Sequence, residues 1–177
     1  MKSLVVRILA VAVVVGIFSG NTLLAQTTGN QTFTVQVPVS LSITAPTNAV
    51  SIQHDETNNL QSFPAQSWTV KGNAVAGVNV TFAAAQPFTN VTDTSVKRNA
   101  QLGLAVGSSQ GPAAWTVDVA SDATDYATNK NTAQVHCSSN GAGRASLNLT
   151  VKFVTEEYGL FPAGDYVTTV TGTIAAK

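Results

Sequence analysis

The sequence predicts an all-β, immunoglobulin-like antiparallel sandwich of about seven to nine strands. Three observations carry this. From Thr32 to Ala45, apolar and polar residues alternate without a break: Phe33, Val35, Val37, Val39, Leu41 and Ile43 occupy the odd positions, and Thr34, Gln36, Pro38, Ser40, Ser42 and Thr44 the even ones. Side chains alternate across a strand, so this spacing makes one apolar face, and no helical reading does. Similar short alternating runs recur to the end of the chain, separated by turn-rich loops, which is the cue for a sandwich or barrel. No stretch beyond the first 25 residues sustains a helical period; Asp125–Lys130 and Thr155–Gly159 have room for one turn each.

Taken in order, Met1 to Ala25 reads as a secretory signal peptide. Lys2 and Arg7 supply a positive start, Ile8 to Phe18 an apolar run shorter than the about 20 residues of a bilayer span, and Ser19–Thr22 a polar exit. No cysteine stands at the expected cut, which argues against a lipoprotein anchor. The expectation is export to the extracellular space, cell surface or periplasm. Residues 26–177 then form a single β-sandwich domain, long enough for a proper core.

Pro38 lacks the ladder donor, so it belongs at an edge or bulge. The opening strand is expected to cross between sheets there. Val50 and Ile52 predict a short strand. Trp68 and Val70 mark the next, turned by Gly72-Asn73. Ala76 to Phe82, Leu102 to Val106, and Trp115 to Val119 follow. Val135 and Cys137 lead into Asn140-Gly141, a dipeptide that tolerates positive φ and signals a hairpin into Leu147 to Phe153. Tyr166 to Ile174 closes the set. A Gly-Asp-Tyr entry to this strand suggests a tyrosine corner: Tyr166 with its ring buried and its hydroxyl bonded to a main-chain group of Tyr158–Gly164.

Outside the signal there are seven basic and nine acidic residues. That balance supplies no basic patch for nucleic acid and no polybasic segment for anionic lipid, so neither nucleic acid nor, after signal cleavage, a membrane is an expected partner. Cys137 is the only cysteine, which leaves no internal disulfide. It shares parity with Val135 and reads as a small buried residue, with an intermolecular disulfide or reactive thiol as the alternative.

Several constellations bear on chemistry. Gly107-Ser108-Ser109-Gln110-Gly111 matches the serine-hydrolase elbow, and Asp125 and His136 follow in the right chain order. The elbow needs strand, turn and helix, whereas Pro112 and a strand follow here, so a Gly/Ser turn accounts for the match. Asp118, Asp122, Asp125, Asn129 and Asn131 form an oxygen-rich loop region in which calcium binding stands against side chains capping their own turns. His54, Asp55, Glu56 and His136 lack a metal-ligand spacing. Trp68 and Trp115 are sugar-stacking candidates, but each sits in its own alternating strand, where core packing is simpler. Asn30, Asn79, Asn90 and Asn148 open N-x-Thr triplets, acceptors only in a eukaryotic secretory route. Altogether no catalytic, metal or cofactor-binding residue is assigned, and no enzyme is expected.

The ending Phe161-Pro162-Ala163-Gly164-Asp165-Tyr166-Val167-Thr168-Thr169-Val170-Thr171-Gly172-Thr173-Ile174 resembles the final strand of bacterial spore-coat-U-like and fimbrial pilin-like secreted β-sandwich proteins. The resemblance implies export, an immunoglobulin-like sandwich and assembly into an extracellular structure. The paired cysteines of that family are absent, since Cys137 stands alone. The expected function is an exported structural or adhesive surface subunit. Thr32–Ala45 has two readings: an ordinary first strand paired within its own sandwich, or a strand added to a neighbouring copy to build a homo-oligomer or filament. The alternative is a carbohydrate-binding module, with the tryptophans facing a glycan.

Overall fold

The computed structural model describes residues 27–47 and 49–177. The region read as a signal peptide lies outside the described residues. The chain divides into two units, Met1–Gln36 and Val37–Lys177. In the first, residues 27–36 carry neither strand nor helix and are exposed.

The described residues of the second unit form thirteen strands: β1 (Leu41–Thr44), β2 (Gln61–Ser62), β3 (Gln66–Gly72), β4 (Val78–Ala84), β5 (Phe88–Asn90), β6 (Lys97–Arg98), β7 (Ala100–Gln110), β8 (Trp115–Val119), β9 (Ser121–Ala123), β10 (Ala133–Ser139), β11 (Gly143–Phe153), β12 (Tyr166–Val167) and β13 (Val170–Ala176). All pairings are antiparallel. One sheet runs β1-β3-β11-β7-β9, with β2 added beside β11; a second runs β13-β4-β10-β8; a small third runs β12-β5-β6.

The alternation seen in the sequence becomes the two inner faces. Val70 of β3, Leu102 and Leu104 of β7, and Leu147 and Leu149 of β11 meet Val78, Val80 and Phe82 of β4 and Val135 and Cys137 of β10 in one buried cluster. An immunoglobulin-type sandwich sets strands A-B-E-D against G-F-C. Here β1-β3-β11-β7 takes the A-B-E-D order, and β13 and β4 take the places of F and C. No described strand stands at the G position, beside β13.

Four expectations need correction. The opening strand does not run from Thr32 to Ala45 and does not cross between sheets at Pro38; only Leu41–Thr44 pairs, with β3. The cause lies in the partner. Leu41 sits opposite Gly72, where β3 ends, and the Asn73 amide makes one last backbone bond, to the Ser40 carbonyl at 3.3 Å. The Asn73 side chain accepts from the Ser40 amide at 2.6 Å and donates to the Pro38 carbonyl at 2.8 Å, ending the pairing there. Val50 and Ile52 lie in a loop, both partly exposed, with no strand alongside.

Asn140-Gly141 does not close a hairpin. It carries the chain from β10 in the second sheet to β11 in the first. The Asn140 side-chain oxygen accepts from the Ala114 amide at 2.8 Å, and its own amide donates to the Ala114 carbonyl at 3.2 Å. The dipeptide therefore anchors a crossover. The last strand is also split: Tyr166–Val167 joins the third sheet and Val170–Ala176 the second. Between them Thr168 donates its hydroxyl to the Gln86 carbonyl at 2.7 Å.

Phe88 of β5, Ala100 of β7 and Phe153 of β11 form a second buried apolar cluster, with Phe63, Phe161 and Tyr166 around them. Tyr166 donates its hydroxyl to the Pro162 carbonyl at 2.8 Å, the main-chain bond expected of it. Its ring is half-buried rather than enclosed, meeting Phe153 and Phe161 edge-on at 5.6 Å. Tyr166→Phe is therefore expected to cost about 1 kcal/mol for the hydrogen bond. Tyr166→Ala should cost about 2–3, below the range of fully buried aromatics. Urea midpoints measure both, and two unchanged midpoints would contradict the anchoring role.

Candidate functional site

The features that stand out lie at the edge formed by β1 and β13 and in the segment preceding β1. Both strands are terminal in their sheets, so each has one unpaired backbone edge among the described residues. Their inward side chains, Leu41 and Ile43 on β1 and Val170 and Ile174 on β13, are half-buried and pack with Trp68 against the main core. Gly172 lets the two strands approach: a Cβ there would stand 2.8 Å from Ile43 Cδ1 and 3.0 Å from both Phe82 Cε1 and Trp68 Cζ3.

Edge strands are normally guarded by charge, proline, bulges or shortness. The opposite side of the sandwich has such guards. There β8 carries Asp118 and pairs with β10 across a register shift, and β9 is three residues long with Asp122 at its centre. The seven residues of β13, VTGTIAA, carry no charge and no proline.

Before β1, the odd-numbered apolar residues are displayed to solvent. Phe33 is 82% exposed, Val35 85%, Val37 74% and Val39 65%. The alternating pattern of a strand thus persists without any strand pairing.

The residues singled out in the sequence are dispersed. Ser109 is in β7 opposite Ala145 in the first sheet, whereas His136 is in β10 in the second, its Nδ1 2.9 Å from the Thr81 hydroxyl. Asp125 lies in the connection after β9, at the start of a 3₁₀ turn over Tyr126–Thr128. Gly111, at φ 96°, turns the chain from β7 towards β8, and no helix follows Ser109. The three are not brought together as a nucleophile, base and orienting acid.

In the oxygen-rich loop, burial alone would raise the Asp122 carboxyl. The Lys130 ammonium and the Gln134 and Ala123 amides outweigh it and hold the group below the usual carboxylate range. Asp125 closes the turn by backbone bonds to Lys130, and Asn131 bonds back to the Asn129 carbonyl. The Asp122 and Asn131 side chains thus bond within this region, whereas Asp125 holds the turn by its backbone alone.

His54 sits apart from His136, stacked on Tyr158 at 5.2 Å beside Phe153 and Phe161. Its Nδ1 accepts from the Glu56 amide at 3.0 Å, so Nε2 carries the proton towards the Thr155 hydroxyl, at 2.9 Å. Thr155 in turn donates to the Asn59 carbonyl at 2.8 Å. Both ring nitrogens thus serve the loop. Asp55 accepts from the side chain and amide of Thr57, which holds its carboxyl below the ordinary value.

Trp68 is half-buried and meets Phe82 edge-on at 5.1 Å, and Trp115 is half-buried against the same core. Neither presents an open stacking platform. Among the N-x-Thr triplets, Asn30 and Asn79 are exposed, Asn148 lies half-buried across Gly107, and Asn90 is buried with its oxygen accepting from the Thr92 and Asp93 amides.

Cys137 is 1% exposed and free, in the core as its parity predicts. Burial, reinforced by Asp118, pushes its thiol up to about 11 from an ordinary 9.0. The folded state holds the proton more tightly than the unfolded chain, so this contribution is complete below pH 9 and is lost as pH rises towards 11. Two units correspond to about 2–3 kcal/mol. Unfolding free energy is expected to fall over that window, and Cys137→Ala to fall less. Parallel slopes for the two proteins would contradict this.

What sequence reasoning missed is the cationic pair Lys71 and Arg144, which stand opposite each other on β3 and β11. They are 73 positions apart in the chain, and only strand register reveals them as neighbours. No family model matches the chain, and no curated protein matches it.

Proposed function

We propose that this protein is an exported structural or adhesive surface subunit that self-assembles by β-strand addition. The observation that carries the reading is the exposed alternation of Phe33, Val35, Val37 and Val39 in a chain whose β13 edge is uncharged and, among the described residues, unpaired. A strand laid on that edge gains main-chain hydrogen bonds along its length, and its alternate side chains supply the apolar contacts. Burying Phe33, Val35 and Val37 contributes on the order of 5–9 kcal/mol before ordering and association costs. The main-chain hydrogen bonds of the added strand come on top of this.

Pro38 and Asn73 divide the segment. Leu41–Thr44 remains in its own sandwich, and Phe33–Val37 is the donated part. This separation gives one chain both a donor extension and a first strand. The likeness of the closing residues to spore-coat-U-like and pilin-like proteins supports the same reading, as does the signal-like start. The dispersal of Ser109, Asp125 and His136 favours a non-enzymatic role. The half-buried tryptophans weigh against a carbohydrate module built on them.

Sedimentation velocity of the protein beginning at Gln26, across a range of concentrations, tests the reading. Oligomers or filaments growing with concentration are expected. A monomer at every concentration would contradict it.

A further inference from the structure

A different face of the sandwich carries a second inference. Among the described residues, the outward side of the first sheet lacks acidic groups. Register places Ser42, Lys71, Arg144 and Gln110 in one transverse row, and Thr44, Thr69, Ser146 and Ser108 in the next. Further along β11 come Asn148, Thr150 and Lys152, opposite Ala105, Gly103 and Gln101. A chain with equal numbers of acidic and basic residues thus presents three cations and, among the described residues, no carboxylate across this face.

Lys71 and Arg144 face each other directly, an arrangement that repels unless something anionic lies between. Neither has a carboxylate within 4.0 Å among the described residues. Arg144 is held in place: its Nε donates to Gln110 Oε1 at 2.8 Å and its Nη2 to the same oxygen, leaving Nη1 without a protein partner among the described residues. Two open depressions meet at Arg144 and Gln110. One, of about 220 Å³, is walled by Thr69, Ser108, Ser109 and Ser146. The other, of about 500 Å³, takes in Lys71, Asn73 and Pro112.

We propose that this face binds an acidic polysaccharide, with Lys71 and Arg144 receiving a carboxylate or sulfate group. A planar guanidinium oriented by a fixed acceptor suits such an anion. The cations are widely set: Arg144 and Lys152 are eight positions apart on one strand, roughly 27 Å. Between them lie Ser146, Asn148 and Thr150, hydroxyl and amide groups that suit sugar hydroxyls. The face has no aromatic side chain on which a nucleobase would stack, which favours a saccharide over a nucleic acid.

The test is retention of the purified protein on immobilised polygalacturonate, dextran sulfate and neutral dextran, beside a single-stranded oligodeoxynucleotide. Binding to polygalacturonate, dextran sulfate or both, lost at high salt and absent from neutral dextran, is the expected result. The pair Lys71→Gln with Arg144→Gln should weaken it by about tenfold or more, as two exposed charge contacts are lost. Lys97→Gln, on β6 in the third sheet, should leave it unchanged. Equal Tm and equal sedimentation of the variants and the unsubstituted protein show that fold and assembly are matched. Undiminished binding by the double variant, equal retention on neutral dextran, or tighter binding to the oligonucleotide would overturn the proposal.

Discussion

Phe33→Asp combined with Val35→Asp should abolish assembly while leaving the fold intact. Both side chains are more than four-fifths exposed, so charging them removes no core packing. Their Tm should stay within the small range typical of surface substitutions. In a strand added to a neighbour, the same residues become buried. Each then contributes about 1.5–3 kcal/mol, and an aspartate in its place adds an unpaired charge. A loss of about 4 kcal/mol or more corresponds to roughly a thousandfold weaker association. Sedimentation of this variant beside the unsubstituted protein measures it. Unaltered oligomers would mean that the apolar alternation does not drive the contact.

Phe82→Ala should be among the most damaging single changes in the sandwich. Phe82 is fully buried at the centre of β4 and packs against the face of the first sheet. Trp68 rests edge-on against it, and β13 pairs directly alongside, with Gly172 opposite. Truncation leaves a cavity beneath the edge where β1 and β13 meet. A cost of about 3–5 kcal/mol follows for a buried aromatic. That is a large share of the 5–15 kcal/mol typical of a whole domain. The urea midpoint should drop with the slope unchanged. A loss below about 1 kcal/mol would show that this core position collapses freely.

The strand segments with strong alternation were legible from the sequence. Trp68–Val70, Leu102–Val106, Trp115–Val119 and Leu147–Phe153 all fall within strands, because a period of two has one structural meaning when one face must be buried. Strands of two or three residues, such as β2, β6 and β9, are too short to show a period.

Asn140-Gly141 has the chemistry of a tight turn whichever sheet receives the next strand. That choice is made by packing across the sandwich, which local pattern does not encode. Phe33–Val39 illustrates the same limit from the other side. Its alternation specifies a strand, but the available partner ends at Gly72, and the residues that end it are more than 30 positions away. Tyr166's main-chain bond was readable because its acceptor, Pro162, is four residues away. Lys71 and Arg144 were not, since only register brings them together.

Strand addition is tested most directly by giving the acceptor its missing strand. A protein lacking Gln26–Val37 retains Leu41–Thr44 and the whole sandwich core, so it is expected to fold and to stay monomeric. A synthetic peptide spanning Thr32–Val39 should then bind it one to one, raise its Tm, and protect the amides of β13 from hydrogen exchange. The same peptide with aspartate at positions 33 and 35 should do none of these. A truncated protein that still forms the same oligomers, or a folded one that ignores the peptide, would contradict the assignment.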